Sequence, residues 1–193
     1  MTNPHHAAAA AITALRINGA NLDVAQHWLS GWRHGQPPRL CVSTLDAVWQ
    51  YKPAMMICRV VKDKSLACVM AGALLRLALG FDPRKRDLLA LLPQDCRADE
   101  LGRAWAISQG AITVRYRRFS SRDGHQGLCQ GIALPFSGED GDGGRHFLMH
   151  TNWRPVGDDW IVGNVDVELG NTSRREMISF MAEPADLPDV VSL

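Results

Sequence analysis

The spacing of apolar residues predicts helices at the start of the chain and strands toward its end. Apolar side chains recur at helical spacing within residues 21–33, and Gly35 followed by two prolines ends that pattern. A second, shorter helix is predicted over residues 44–51, because Ser43 can cap its first turn and Pro53 follows its end. Two helices therefore precede any strand.

Five segments have the composition or the period of β-strands. Residues 55–61 and 65–72 are rich in Val, Ile, Met and Cys, and the charged turn between them predicts an antiparallel hairpin. From residue 111 the apolar period changes to two, which predicts strands over residues 111–122, 127–136 and 145–154. The hairpin and the three long strands lie on opposite sides of a central helical region.

The central region begins with an apolar run over residues 71–93. A bilayer span needs roughly 18 or more apolar residues without charges, whereas Arg76 and a basic triplet at residues 84–86 interrupt this run. The run therefore predicts short helices that cover a sheet. Residues 97–109 predict a longer connecting helix, since their apolar positions repeat at helical spacing and Gly110 follows.

This order of elements predicts an α+β domain, in which helices grouped between two sets of strands cover one face of an antiparallel sheet. The gap between the helices and the sheet is the natural place for a pocket. We expect residues 1–20 to be a flexible N-terminal tail, residues 21–165 to form the domain with its leading helices, and residues 166–193 to be a C-terminal extension.

Composition narrows the classes of function. The 193 residues carry a formal net charge of +1 and 46% are hydrophobic, so the chain has no general attraction to nucleic acid. The N-terminus lacks a basic start followed by an apolar core, so we expect a cytoplasmic protein without membrane contact. Five cysteines without a C-x-x-C pair predict reduced thiols.

No catalytic or metal-binding motif is visible in the sequence. A Gly-x-Ser-x-Gly turn, a Walker loop and a His-Glu-x-x-His helix are all absent, so we do not expect an enzyme. His146 and His150 fall about 13 Å apart on a strand and cannot share a metal, so no metal site is predicted. Arg115 and Arg117 alternate with other residues on a strand, and we expect them on a solvated outer face.

The order of two strands, short helices, a connecting helix and three strands resembles the PAS superfamily. The sequence is similar to an alphaproteobacterial single-domain PAS family over roughly residues 25–165. The similar segments are a leading Trp helix with a Pro-containing turn (HWLSGWRHGQPPRL), a helix ending in Pro (STLDAVWQYKP), and a strand and short helix bounded by glycines (SLACVMAGALLRLALG).

The resemblance implies a PAS-like five-stranded antiparallel sheet with short helices on one face and a leading N-terminal helix. It also implies a sensory or regulatory domain in signal transduction, in which a small apolar ligand or a partner protein alters the packing of helices on the sheet. The alternative is a ligand-free protein-interaction adaptor of the same fold.

The resemblance does not specify a cofactor. Haem-binding PAS domains have an axial His on the connecting helix, and this helix has none. A flavin-binding segment is matched only by Cys96 and Arg97. The cofactor is therefore left unknown.

Two sets of residues are candidates for binding. The ligand pocket is predicted to be lined by Leu74, Leu77, Leu101, Trp105, Val114 and Tyr116. An ordinary core would contain the same residue types.

A homodimer is predicted around the leading helix, through Leu22, Trp28, Leu29 and Trp32. In the competing arrangement, this helix folds back on its own sheet and hides these residues within one chain.

Overall fold

The structure is a computed structural model that describes residues 4–14, 17, 19–62, 64–79, 81–84, 86–92, 94–120, 126–155 and 175–179. The helices are α1 Pro4–Ala14, α2 Gly19–Ser30, α3 Val42–Asp46, α4 Ala73–Leu79 and α5 Arg97–Ser108. The strands are β1 Met55–Val61, β2 Ser65–Ala71, β3 Ala111–Ser120, β4 Gln126–Pro135, β5 Gly144–Pro155 and β6 Arg175–Ser179. Single 3₁₀ turns span Trp49–Ala54, Leu88–Leu91 and Gln94–Cys96.

The described strands form one antiparallel sheet in the order β2-β1-β5-β4-β3-β6. The predicted hairpin and the three long strands are confirmed, and β1 and β5 pair in the middle of the sheet although they are far apart in sequence. The predicted fold class is confirmed: an α+β domain in which short helices cover an antiparallel sheet that contains the five predicted strands. The additional strand β6 pairs with β3.

The alternation of side chains along each strand gives the sheet two buried faces. On β1, Met55 and Ile57 lie in a cluster with α1 and α2, which we call the N-terminal core. Met56, Cys58 and Val60 lie in a cluster with α4 and α5, which we call the gap core. Strands buried on both faces read as nearly continuous apolar runs, as β1 does.

The N-terminal region differs from the predicted tail. Residues 4–14 form a helix, and its Ala8 and Ile12 are 0% and 4% exposed within the N-terminal core. Its run of alanines has a high intrinsic helix propensity, and the small side chains allow close packing. The predicted C-terminal extension lies outside the described residues, apart from β6.

The apolar run of residues 71–93 forms short helical pieces, as predicted. Helix α4 and the 3₁₀ turn at Leu88–Leu91 both border the gap core. None of the helices in the described part of the chain combines the length and the apolar character that a bilayer span requires.

Gly72 joins β2 to α4 at a point where two backbone segments touch. Its N–H donates to the carbonyl oxygen of Met55 at 2.8 Å. A Cβ at this position would lie 2.0 Å from the carbonyl oxygen of Lys52 and 2.4 Å from that of Pro53. Because the obstructing atoms are backbone, no side-chain rotation could relieve this contact.

We expect Gly72→Ala to lower the free energy of unfolding by about 2 kcal/mol or more, because the 3₁₀ turn would have to move away from the sheet. Gly102→Ala is the matched control, since Gly102 is exposed on α5 with no atom near its Cβ position. That control should gain about 0.5–1 kcal/mol from the higher helix propensity of Ala. Urea unfolding measures both changes, and equal stabilities of the two variants would contradict the close approach at Gly72.

Candidate functional site

The gap core lies between the sheet and the helices α4 and α5, and it is the candidate ligand site. Phe147 of β5 and Ala104 of α5 are 2% and 3% exposed and belong to this buried cluster. Leu101, Trp105 and Met149 border the cluster as partly buried side chains. The described lining of the gap is therefore mainly apolar and closely filled.

One charged cluster interrupts this apolar lining. The Arg115 guanidinium on β3 donates to both carboxylate oxygens of Glu100 on α5, at 2.7 and 2.9 Å. Arg103, one turn along α5, donates to the same carboxylate. Arg115 is only 9% exposed. The gap thus has an apolar part and a polar end that carries two positive charges and one negative charge.

The predicted outer location of Arg115 is wrong. Thr113 and Arg115 point toward α5, whereas Ile112 and Val114 point into the N-terminal core. Helices cover both faces of the sheet, so the apolar side of β3 could have faced either layer of helices. Glu100 provides the partner that allows the guanidinium of Arg115 to be buried. The side chain of Arg117 is outside the described set.

Two thiols in the gap core face each other across the hairpin. Cys58 and Cys68 are paired between β1 and β2 and are 0% and 3% exposed. Burial raises the pKa of the Cys58 thiol well above its ordinary value, and burial raises that of Cys68 to about 11. Both are protonated at neutral pH and are therefore weak nucleophiles.

The structure brings only some of the predicted pocket residues together. Leu101 and Trp105 lie side by side at the gap core. Val114 is fully buried on the other face of the sheet, and Leu74 is 42% exposed while its neighbour Leu75 is buried. The side chains of Leu77 and Tyr116 lie outside the described set. A ligand in the gap stays a prediction.

The opposite face carries a buried polar network that sequence reasoning missed. Asn21 on α2 is 0% exposed, and its amide donates to the carbonyl oxygen of Gln130 at 2.7 Å and to the side-chain oxygen of Gln130 at 3.0 Å. The Oδ1 of Asn21 lies 2.6 Å from Nδ1 of His150. Because this amide oxygen can only accept, Nδ1 of His150 carries the proton. One side chain thus ties α2 to β4 and β5.

The network continues from His150 to the 3₁₀ turn and back to α2. The ring of Tyr51 meets the His150 ring edge-on, with centroids 5.8 Å apart. The hydroxyl of Tyr51 donates to the Asp23 carboxylate at 2.9 Å. Desolvation, together with that carboxylate, raises the pKa of Tyr51. Burial lowers the pKa of His150 to about 4, so the imidazole is neutral at physiological pH.

The residues assigned to a homodimer lie within one chain. Trp28 and Trp32 are 3% and 6% exposed, their rings meet edge-on at 5.4 Å, and Nε1 of Trp28 donates to the carbonyl oxygen of Pro135 at 2.6 Å. Leu22 and Leu29 pack beside them as partly buried side chains. The leading helix therefore has the competing arrangement, folded on its own sheet, and a homodimer stays a prediction.

The missed network left a signal in the sequence. Asn21, Val24, Ala25 and Trp28 are the buried positions of α2, and they follow the helical spacing i, i+3, i+4, i+7. Hydrophobicity alone favours a face of this helix that is centred on Leu22 and Leu29, because these side chains are more apolar than Asn21. A polar side chain within such a stripe indicates a buried hydrogen-bond partner on the facing element.

The two histidines of β5 have different surroundings. His146 lies opposite Arg59 and 4.0 Å from the Asp140 carboxylate. His150 contacts the Asn21 network. Within the described part of the chain, no three His, Cys, Asp or Glu side chains are grouped as metal ligands.

Comparison with known proteins gives likenesses to solved structures only. No protein-family model matches the sequence, and no curated protein matches it. Among solved structures, the chain is similar to the PAS domain of an HTR-like protein from Haloarcula marismortui, with 16% identity and a TM-score of 0.35. The match covers 57% of this chain and 89% of that chain.

We expect His150 to make stability depend on pH. Its pKa is lowered from 6.5 to about 4 on folding, so its contribution is complete above pH 6.5 and is lost as the pH falls toward 4. The loss amounts to about 3 kcal/mol. Urea unfolding of wild type and His150→Gln at pH 7 and pH 4 measures it, since the variant lacks this titration.

The control for that measurement is His27→Gln, which changes an exposed His on helix α2. It should keep the pH dependence of the wild type. A parallel pH dependence of wild type and His150→Gln would show that the imidazole is not held neutral by burial.

Proposed function

We propose that the protein is a cytoplasmic PAS-type sensory or regulatory domain that binds a small apolar ligand or a partner protein in signal transduction. The observation that carries this proposal is the hydrogen bonding of Asn21 to Gln130 and His150. It connects the leading helix to two strands whose other faces line the candidate ligand gap. The proposal assigns no catalytic role to the chain.

The two faces of β5 provide the physical basis for signalling. Phe147 and Met149 face the gap, and Leu148 and His150 face the leading helix. A shift of β5 on one side therefore displaces groups on the other. Buried hydrogen bonds tolerate little displacement, because an unsatisfied buried group costs about 1–3 kcal/mol. A ligand that favours one position of β5 would change the docking of α2 by its difference in affinity for the two states.

The chemistry of the gap indicates the kind of molecule that fits it. Aromatic and aliphatic groups of Phe147, Leu101 and Trp105 favour an apolar body. The cluster of Glu100, Arg103 and Arg115 offers hydrogen-bond donors at one end. A mainly apolar molecule with one polar group matches both parts.

The alternative is a ligand-free interaction adaptor of the same fold. The tight filling of the gap favours it, since Cys58, Ala104 and Phe147 are each no more than 3% exposed. In that case the same strands and helices would form a fixed scaffold, and a signalling partner would bind the outer surface.

Native mass spectrometry distinguishes the sensor from the adaptor. For the sensor, we expect purified wild type to carry a small molecule whose mass is lost on denaturation. Ala104→Leu should reduce that occupancy at least tenfold, because the added methyl groups occupy the gap. Hydrogen exchange in residues 19–30 should differ between the loaded and empty forms.

Ala98→Leu is the matched control, since it makes the same change at an exposed position of α5. It should leave the occupancy unchanged. Failure to detect or add a small molecule in the folded wild type would favour the adaptor.

We also propose a homodimer. Its interface would use exposed apolar residues, because the predicted interface residues Trp28 and Trp32 of the leading segment are buried within one chain. Val42 on α3 and Trp49, seven residues later in the following 3₁₀ turn, are 75% and 51% exposed. We expect sedimentation velocity to show a dimer that Val42→Gln with Trp49→Gln converts to monomer. The control pair Val69→Gln and Leu91→Gln changes side chains of similar exposure elsewhere. A monomeric wild type would exclude the dimer.

A further inference from the structure

A cationic groove lies outside the gap, where the segment after α2 meets the segment after β4. Arg33 and Gln36 close a tight turn through two backbone hydrogen bonds of 3.2 and 3.0 Å. Its central residues, His34 and Gly35, have φ angles of 53° and 75°, as in a type I′ turn. The Ser137 N–H donates to the carbonyl oxygen of Pro38 at 2.9 Å and fixes the two segments together.

The groove encloses about 380 Å³, and its polar lining comes from Arg33, His34, Gln36, Arg39 and Ser137. A smaller cavity of about 110 Å³ shares Gln36 and Ser137 with it and is bordered by Arg145. No carboxylate lines either space among the described residues.

Neither arginine of the groove has a carboxylate partner among the residues that the structure describes. Arg33 donates through Nη1 only to backbone carbonyl oxygens, those of Ser30 at 2.8 Å and Trp32 at 2.7 Å. These bonds fix the guanidinium, and no carboxylate among the described residues forms an ion pair with it. Arg39 has neither an ion pair nor a side-chain hydrogen bond within the described residues. Arg145, in contrast, is neutralised by Glu139 at 2.7 Å.

We propose that this groove binds the phosphate group of a small phosphorylated molecule. Guanidinium groups bind phosphate through paired N–H donors, and two of them supply the charge that a phosphate dianion requires. The His34 ring and the Ser137 hydroxyl add donors at the same wall. The volume corresponds to about a dozen water molecules, which leaves room for an organic part beside the phosphate.

A phosphate in this groove would join two parts of the fold that the Asn21 network already connects. Arg33 and Arg39 follow the leading helix, and Ser137 follows β4. The ligand would therefore tighten the docking of the leading helix from its C-terminal side. This role does not depend on whether the gap binds a ligand, so the two proposals can fail separately.

Titration of ¹⁵N-labelled full-length protein with inorganic phosphate tests the site, with sodium chloride at matched ionic strength as reference. We expect saturable shifts of the amides of Gly31, His34, Ser137 and Gly138 that chloride does not produce. Arg33→Gln with Arg39→Gln should weaken this binding at least tenfold. Because Arg33 also bonds the turn, Arg39→Gln alone is a second variant that leaves those bonds intact and should weaken binding severalfold.

Lys62→Gln with Lys64→Gln is the matched control, since it removes the same charge from the exposed β1–β2 turn. It should bind phosphate as the wild type does. Saturable binding that survives in both arginine variants, or its absence in the wild type, would overturn the site. Binding of succinate without binding of phosphate would overturn the assignment to a phosphate group.

Discussion

The fully buried amide of Asn21 fixes how the leading helix sits on the sheet. It donates twice to Gln130 and accepts from His150, so its principal hydrogen-bonding groups are satisfied only when α2 lies at one position across β4 and β5. Apolar packing alone tolerates small displacements, whereas a displaced amide would lose partners at a cost of about 1–3 kcal/mol. Trp28 lies two turns further along α2 and donates a hydrogen bond to the carbonyl oxygen of Pro135 at the end of β4. The leading helix is thereby held at both ends.

A second polar contact fixes the other face of the sheet. Glu100 and Arg115 join α5 to β3 within a mainly apolar layer. Removal of either partner would strongly destabilise the fold, because the other charge would stay buried without a partner. Each covering layer thus combines apolar contacts, which supply most of the burial, with buried polar contacts that set its position. Buried polar groups can provide such specificity of register at some expense of stability.

The sequence predicted the strands and the connecting helix well, because their apolar period and their Gly and Pro boundaries are local properties. It did not predict which way β3 faces, because Ile112 and Val114 could fill either of two covered faces and Arg115 looked like a solvent residue. The location of Leu101 and Trp105 at the gap is predictable, because a helix with a single apolar side can bury only that side against the sheet. The network of Asn21, Gln130 and His150 joins residues 109 and 129 positions apart, and nothing local pairs them. Such pairings depend on sheet register, which no single segment encodes.

The position of the cationic groove follows from the same constraints. With Asn21 and Trp28 holding α2 on β4, the chain leaves the helix beside the end of β4, and the type I′ turn at His34 reverses it there. This reversal brings Arg33 and Arg39 to one side of Ser137, although neither has an acidic partner within the described part of the chain. Two unpaired guanidinium groups repel each other, so their approach costs free energy that an anion would recover. The interactions that dock the leading helix therefore also create the positive charge density that a phosphate would neutralise.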